Sequence, residues 1–341
     1  FLPLFLARDI FPENRLHRLH REKQIGSAMA PCGEKSQEAI SSVVIIIAMQ
    51  TEAMPLVNKF ELKEDQDSVF PEGVPWVRYH GTYKDLHLNI IWPGKDTSLV
   101  PMDTNGTDID VVGHTCTQQE YEIHDLFFAN LNLILSEVDS VGTISASLVT
   151  YASIQALKPD LIINAGTAGG FKAKGASIGD VFLISDVAFH DRRIPIPVFD
   201  LYGVGQRQAF STPNLLRELN LKVCKLSTGD SLDMSSQDET SITANDATIK
   251  DMEDQESEEK RRREKGDEAH PLSIYLGAAV AYVADLFKVP AIFVKAVTDL
   301  VDGDKPTAEE FMQNLVAVTA ALEQSVSQVI DFINGKRFSE L

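Results

Sequence analysis

Apolar residues in this chain fall into short continuous runs separated by stretches of helical spacing. Ser41 to Gln50, SSVVIIIAMQ, is such a run, and continuity without alternation marks a strand covered by helices on both faces. Thr51 to Phe60 follows with apolar positions at helical spacing, so the pair predicts a strand–turn–helix start. His87 to Trp92 predicts a further strand ended by Pro93 and Gly94. Val141 to Leu157 predicts a helix, Asp160 to Asn164 and Gly179 to Val187 strands, Thr212 to Leu219 a helix and Lys222 to Leu226 a strand. Gly277 to Phe287 is a small-residue helix suited to close packing on a sheet, and Ile292 begins a buried strand that ends abruptly in acids at Asp299. In the last segment, Thr307 to Phe332, residues Phe311, Leu315, Val318, Leu322, Val326 and Val329 recur every three or four positions, the signature of an amphipathic helix. Thr307 and Glu310 form a capping-box pair at its start, and Gly335 lies beyond its end. Strand and helix alternation of this kind predicts an α/β fold, a three-layer α/β/α sandwich around a central, mostly parallel mixed sheet.

Three stretches break the pattern. Residues 1–40 read as a disordered extension: FLPLFLA is too short to cross a bilayer, and no signal-peptide cleavage pattern follows it. Residues 101–136 are polar and aperiodic, and a structureless loop of that length is uncommon inside a compact domain. Within residues 254–276, DQESEEKRRREKGDE has no apolar residue and cannot bury enough surface to fold. Its acids interleave the basic run from Lys260 to Lys265, which favours a solvated loop over a targeting signal or a calmodulin-binding helix. The expected organisation is one domain over 41–341 carrying disordered insertions at 101–136 and 254–276.

Composition narrows the partners. The 341 residues are 44% hydrophobic and 24% charged, ordinary for a globular protein with a sizeable core. A net charge of −19 argues against nucleic acid or an anionic membrane as partner and favours a small-molecule substrate. Cys32, Cys116 and Cys224 lie far apart without metal-ligand spacing, so a reducing cytoplasm is the expected compartment.

Candidate chemistry collects at strand ends, where open α/β sheets bind ligands. Glu52, Glu253 and Asp299 stand at such positions, with Thr167, Lys295 and the Thr228-Gly229-Asp230 turn near them. Paired carboxylates suit acid/base cleavage of a glycosidic bond, one protonating the leaving group and one activating water. Each also has a plainer reading: Asp299 as a turn or cap residue, Glu52 as a first-turn carboxylate facing the helix dipole, Glu253 as a surface acid and Thr167 as a turn residue. The glycines after Asn164, AGTAGG, match neither a dinucleotide nor a triphosphate loop. His190, Asp191, Arg192 and Arg193 cluster without a second suitably spaced His or Cys, which favours a loop role over a metal.

Taken together, AMQTEA (Ala48 to Ala53), NAGTAGGF (Asn164 to Phe171), GDVFLISDVAFHD (Gly179 to Asp191), STGDS (Ser227 to Ser231), DME (Asp251 to Glu253), GAAVAYVAD (Gly277 to Asp285) and KAVTDLVDGDKP (Lys295 to Pro306) resemble the plant 5′-methylthioadenosine nucleosidases of the purine nucleoside phosphorylase superfamily. The resemblance implies hydrolysis of 5′-methylthioadenosine to adenine and 5-methylthioribose, no metal or organic cofactor, and a homodimer. It leaves cleavage of S-adenosylhomocysteine open. By that resemblance Glu52 is the general base, Asp299 protonates adenine N7, Met252 and Glu253 hold the ribose, Thr167 and Lys295 place the water, and the backbone near Leu232 lines the adenine pocket. Phosphorolysis and non-catalytic nucleoside binding on the same fold are the alternatives. The chain departs from the family in the 101–136 stretch and in a Met-Glu-Gly-Ala-Ala motif split by residues 254–276, which predicts a ribose acid uncoupled from its supporting helix. Their abrupt, compositionally foreign edges, like those of residues 1–28, mark all three as expected gene-model or splice artefacts.

Overall fold

The computed structural model describes residues 38–96, 138–230, 236–251, 277–305 and 307–341. The stretches expected to be disordered lie almost wholly outside them, as do Leu232, Met252 and Glu253.

The expected start is present: β1 (Ser42–Ile46) runs into α1 (Gln50–Lys59). Then come β2 (Lys63–Glu64), β3 (Val77–Tyr83) and β4 (Leu86–Trp92), followed by the short pair β5 (Lys95–Asp96) and β6 (Val138–Asp139). Next in order are α2 (Thr143–Leu157), β7 (Leu161–Gly170), β8 (Val181–Phe189), α3 (Phe199–Val204), β9 (Arg207–Gln208), α4 (Pro213–Leu219), β10 (Lys222–Thr228), α5 (Ser236–Ala244) and β11 (Ile249–Asp251). The chain ends with α6 (Gly277–Phe287), β12 (Ala291–Leu300) and α7 (Thr307–Ile333). Strands line up as β11-β10-β8-β12-β7-β1-β4-β3-β2, with β9 added on β8. Pairings β12–β7, β7–β1, β1–β4 and β8–β10 are parallel, while β12–β8, β3–β4 and β2–β3 are antiparallel. Strand β11 pairs with β7 as well as β10, which closes the β7-β12-β8-β10-β11 half of the sheet into a ring.

Two apolar layers sandwich the sheet. On one side Ile45, Ile163, Ile292 and Val294 meet Leu322, Val326 and Val329 of α7 and Leu56 of α1. On the other, Val44, Ile46 and Phe293 lie against Val149 of α2 and Ala278 to Ala281 of α6, whose small side chains permit close approach. Strand β7 is longer than expected, because the AGTAGG stretch continues the strand and is buried throughout instead of turning. Its small residues answer to crowding: a Cβ on Gly170 would sit 2.8 Å from the side chains of both Ala176 and Val297. Strands β2, β3, β5, β6, β9 and β11 and helices α3 and α5 were not anticipated from the apolar pattern.

Thr228, at the carboxyl end of β10, joins the flanks of the split motif. It pairs with Phe189 on one side and Asp251 on the other. Its hydroxyl accepts the N–H of Ala278 at 3.1 Å, satisfying a first-turn donor of α6. The chain before residue 252 and the chain from Gly277 onward therefore meet at one buried residue. Excising residues 254–276, so that Glu253 joins Gly277, should leave the fold intact. The shorter closure should raise stability by up to about 2 kcal/mol in urea denaturation. A variant that fails to fold would show that the two flanks are held apart.

Candidate active site

The site is built at the carboxyl ends of β1, β7 and β12. Strand β1 delivers the chain to α1, whose first turn carries Glu52, only 1% exposed. Its carboxylate folds back to accept the N–H of Met49 at 3.2 Å through Oε2. From β7, Thr167 donates twice to Oε1, through its N–H at 2.7 Å and its hydroxyl at 2.8 Å. Lys295 reaches the same point from β12, because register pairs it with Gly166 and Ala296 with Thr167. Both charged groups converge over Gly166: a Cβ there would stand 3.3 Å from Glu52 Oε1 and 3.4 Å from Lys295 Nζ. Burial pushes the Glu52 carboxyl above its ordinary 4.5, against the pull of Lys295 and of its three hydrogen bonds.

Asp299 enters two residues further along β7. Register runs Val297 to Ala168 and then Asp299 to Gly169, so Thr298 is an extra, bulged residue. A bulge re-aims the side chains around it. Asp299 is buried, and Thr298 donates its hydroxyl to Oδ1 at 2.7 Å. Positions 167 and 169 are about 7 Å apart along the strand and share one face, so Glu52 and Asp299 address neighbouring stations of β7.

Of the remaining expected site residues, Thr167 and Lys295 join Glu52, whereas Leu232, Met252 and Glu253 lie outside the described residues. The His190 cluster is committed elsewhere. His190 Nδ1 is 3.0 Å from Ser227 Oγ, Asp191 accepts the Asp230 N–H, and Arg193 pairs with Asp238. Asp230 in turn accepts the N–H and hydroxyl of Thr143, capping α2 from outside the helix.

Asp139 was not anticipated. It borders α1, accepts the Gln50 N–H, and has its carboxyl pushed up to about 6 by burial and then by the negative charge of Glu52. A two-residue strand gives no periodic signal, so nothing in the sequence marked it. An open groove of about 880 Å³ lies at the other end of β1, lined by Ser42, Asp65, Arg78, His80 and Asn89. Asp65 there lies 2.8 Å from Arg78 and 2.9 Å from His80, and the groove opens at the end of β1 opposite the one that leads into α1 and Glu52.

Because the folded state holds the Glu52 proton above 4.5, it binds more protons than the unfolded chain as pH rises from that value. Stability should therefore be highest below pH 4.5 for this group and fall as pH climbs through the raised pKa. Asp139 adds a decline of the same sign between its ordinary 3.8 and about 6. Glu52→Gln cannot ionise, so its melting temperature should decline less between pH 4.5 and 8 than that of the unsubstituted chain. Parallel curves for the two proteins would rule out a raised Glu52.

Comparison with known proteins places the chain in a family. The Phosphorylase superfamily model matches residues 42–253, ending just before the charged insertion at 254–276. The chain is 59% identical over 302 residues to 5′-methylthioadenosine nucleosidase of Arabidopsis thaliana, covering 89% of this chain and 91% of that protein. It is 52% identical over 309 residues to 5′-methylthioadenosine/S-adenosylhomocysteine nucleosidase of the same plant, covering 91% and 98%. The apo structure of Arabidopsis thaliana 5′-methylthioadenosine nucleosidase superposes with a TM-score of 0.71 at 57% identity, over 89% of this chain and 100% of that one. A superfamily match over most of the chain, joined to two plant relatives matched nearly end to end, means that this chain belongs to the phosphorylase superfamily and, within it, to the 5′-methylthioadenosine nucleosidases.

Proposed function

We propose that this chain hydrolyses the N-glycosidic bond of 5′-methylthioadenosine, releasing adenine and 5-methylthioribose. The observation that carries the reading is a buried carboxylate, Glu52, held by Thr167 beside Lys295 and one station from a second buried carboxyl, Asp299. In this reading Glu52 takes a proton from the attacking water, which Thr167 and Lys295 help to place. Asp299 delivers a proton to N7, so that neutral adenine departs instead of its anion. A raised Glu52 suits a base that must accept a proton near neutral pH. Met252 and Glu253 hold the ribose hydroxyls, and the backbone near Leu232 lines the adenine pocket. Glu253 follows Asp251, whose pairing with Thr228 starts it from the same sheet edge. The chemistry needs no cofactor.

Hydrolysis is favoured over phosphorolysis because a phosphate nucleophile needs net positive charge where it attacks. Here the Lys295 charge faces the carboxylate of Glu52. The protein acts as a cytoplasmic homodimer in this reading. Tyr151 of α2 stacks near Phe287 of α6, and exposed Ile144, Leu148 and Leu286 extend the same helices. Exposed Ile196, Val198, Phe199 and Leu201 add a second apolar group around α3, a surface suited to a second copy of the chain.

Adenine release from 5′-methylthioadenosine, followed chromatographically with and without phosphate, is the direct test. The expected outcome is adenine formation at the same rate in both, lowered about 10²–10⁴-fold by Glu52→Gln or Asp299→Asn. Phosphate-dependent release would favour phosphorolysis, and binding without release would favour a nucleoside-binding protein. S-adenosylhomocysteine in the same assay defines the substrate range.

A further inference from the structure

We infer that Glu310 and Asn314 of α7 are positioning residues that clamp Asp299 from both sides, an inference that rests on the proposed role of Asp299 as proton donor. Asp299 stands directly after a bulge, and a bulge leaves backbone groups outside the regular ladder. Those groups are taken up by one helix turn. The carbonyl of Thr298, the residue before Asp299, accepts the Asn314 side-chain amide at 3.0 Å. The N–H of Leu300, the residue after it, donates to Glu310 Oε2 at 3.0 Å. Asn314 uses the same nitrogen to reach the Glu310 carbonyl at 2.7 Å, tying the clamp to the helix backbone. The ladder continues after the bulge with Asp299 opposite Gly169 and Leu300 opposite Gly170, and Val301 N–H donates to the Gly170 carbonyl at 2.9 Å.

Each partner is chemically matched, an amide donor to the carbonyl and a carboxylate acceptor to the N–H. Glu310 itself is only 8% exposed. Sequence reading gave Glu310 to a capping box with Thr307, yet its carboxylate reaches across to β12. A helix cap alone would not need Asn314 one turn later on the same face, where its amide reaches the bulge. What both do for Asp299 is hold the two peptide units on which its side chain depends. A proton donor must sit within about 0.5 Å of its productive place, and a bulge without lateral support is soft.

The clamp predicts a selective defect. With 5′-methylthioadenosine the leaving base must be protonated, so Glu310→Ala and Asn314→Ala should lower kcat about 10–100-fold while KM changes less than about threefold. A 4-nitrophenyl 5-methylthio-β-riboside replaces adenine with a group that needs no proton. Its C1′–O bond breaks with the electron pair leaving as nitrophenolate, water supplies hydroxide to C1′, and Glu52 takes the water proton. Turnover of this substrate should stay within about threefold in the same variants, because Asp299 is not called upon. Glu310→Gln, which keeps an acceptor for the Leu300 N–H, should restore adenine release to within about threefold of the unsubstituted chain. Equal loss on both substrates, as unfolding or general damage would give, overturns the inference, and so does unchanged kcat on 5′-methylthioadenosine. If the unsubstituted chain itself releases no adenine, the proposed reaction fails and the inference with it. An active unsubstituted chain with insensitive variants removes the clamp alone.

Discussion

Two opposite charges buried over one glycine are the constraint on which the rest of the structure turns. Removing a carboxylate and an ammonium from water costs several kcal/mol per ion, and geometry must recover it. Here Glu52 receives three hydrogen bonds and the field of Lys295. Any slide of β7 against β12 would shift Thr167 and Lys295 relative to each other and take at least one of them from the carboxylate, since the register of those two strands sets their spacing. That requirement explains why the charges stand on central strands and a helix first turn. It also explains why Gly166 has no side chain, as even a Cβ there would press on both groups.

The same sheet contains a deliberate irregularity next to its most constrained register. Regular pairing from Ala291 to Val297 brings Lys295 to its place, and the bulge at Thr298 then changes the phase of the strand for Asp299. A uniform strand would have carried the side-chain alternation of Lys295 straight through to Asp299, because side chains repeat with a period of two. The bulge breaks that relation, and the first turns of α7 absorb its displaced backbone groups. One helix thus packs the apolar layer through Leu322, Val326 and Val329 and shapes a strand end through Glu310 and Asn314.

What could be read in the sequence follows from where periodic burial is strong. Strand β1, helix α1, strand β12 and helix α7 were legible because each is a run of apolar residues of one clear period, and Glu52 and Asp299 stood out as acids at their ends. The AGTAGG segment was placed after the strand ending at Asn164, as glycines following a strand that match no phosphate loop. Only the crowding around Gly166 and Gly170 reveals that a fully buried strand needed small residues there. Short strands such as β6 and β11 are held by partners distant in sequence and have no local pattern, which is why Asp139 went unnoticed. Glu310 was noticed, but for a local bond, since a capping motif can be read along the chain whereas a reach across to Leu300 cannot.

The split between Glu253 and Gly277 looks damaging along the sequence and mild in space. Rigidity at a binding edge comes from what the flanking backbone is bonded to, and covalent adjacency is only one way of supplying it. Thr228 lies in the closed half of the sheet, buried, with Asp251 in its ladder and Ala278 on its hydroxyl. Its own position is set by Phe189 across the ladder, by the neighbouring Ser227 contact with His190, and by the Asp230 cap on α2 two residues further on. With both flanks fixed by the same strand end, the length of chain between them enters the energetics mainly as closure entropy, which grows only with the logarithm of loop length. An insertion at this point therefore perturbs the flanking strand and helix ends far less than one placed between Gly166 and Thr167 would perturb the Glu52–Lys295 pair, where register is the support itself.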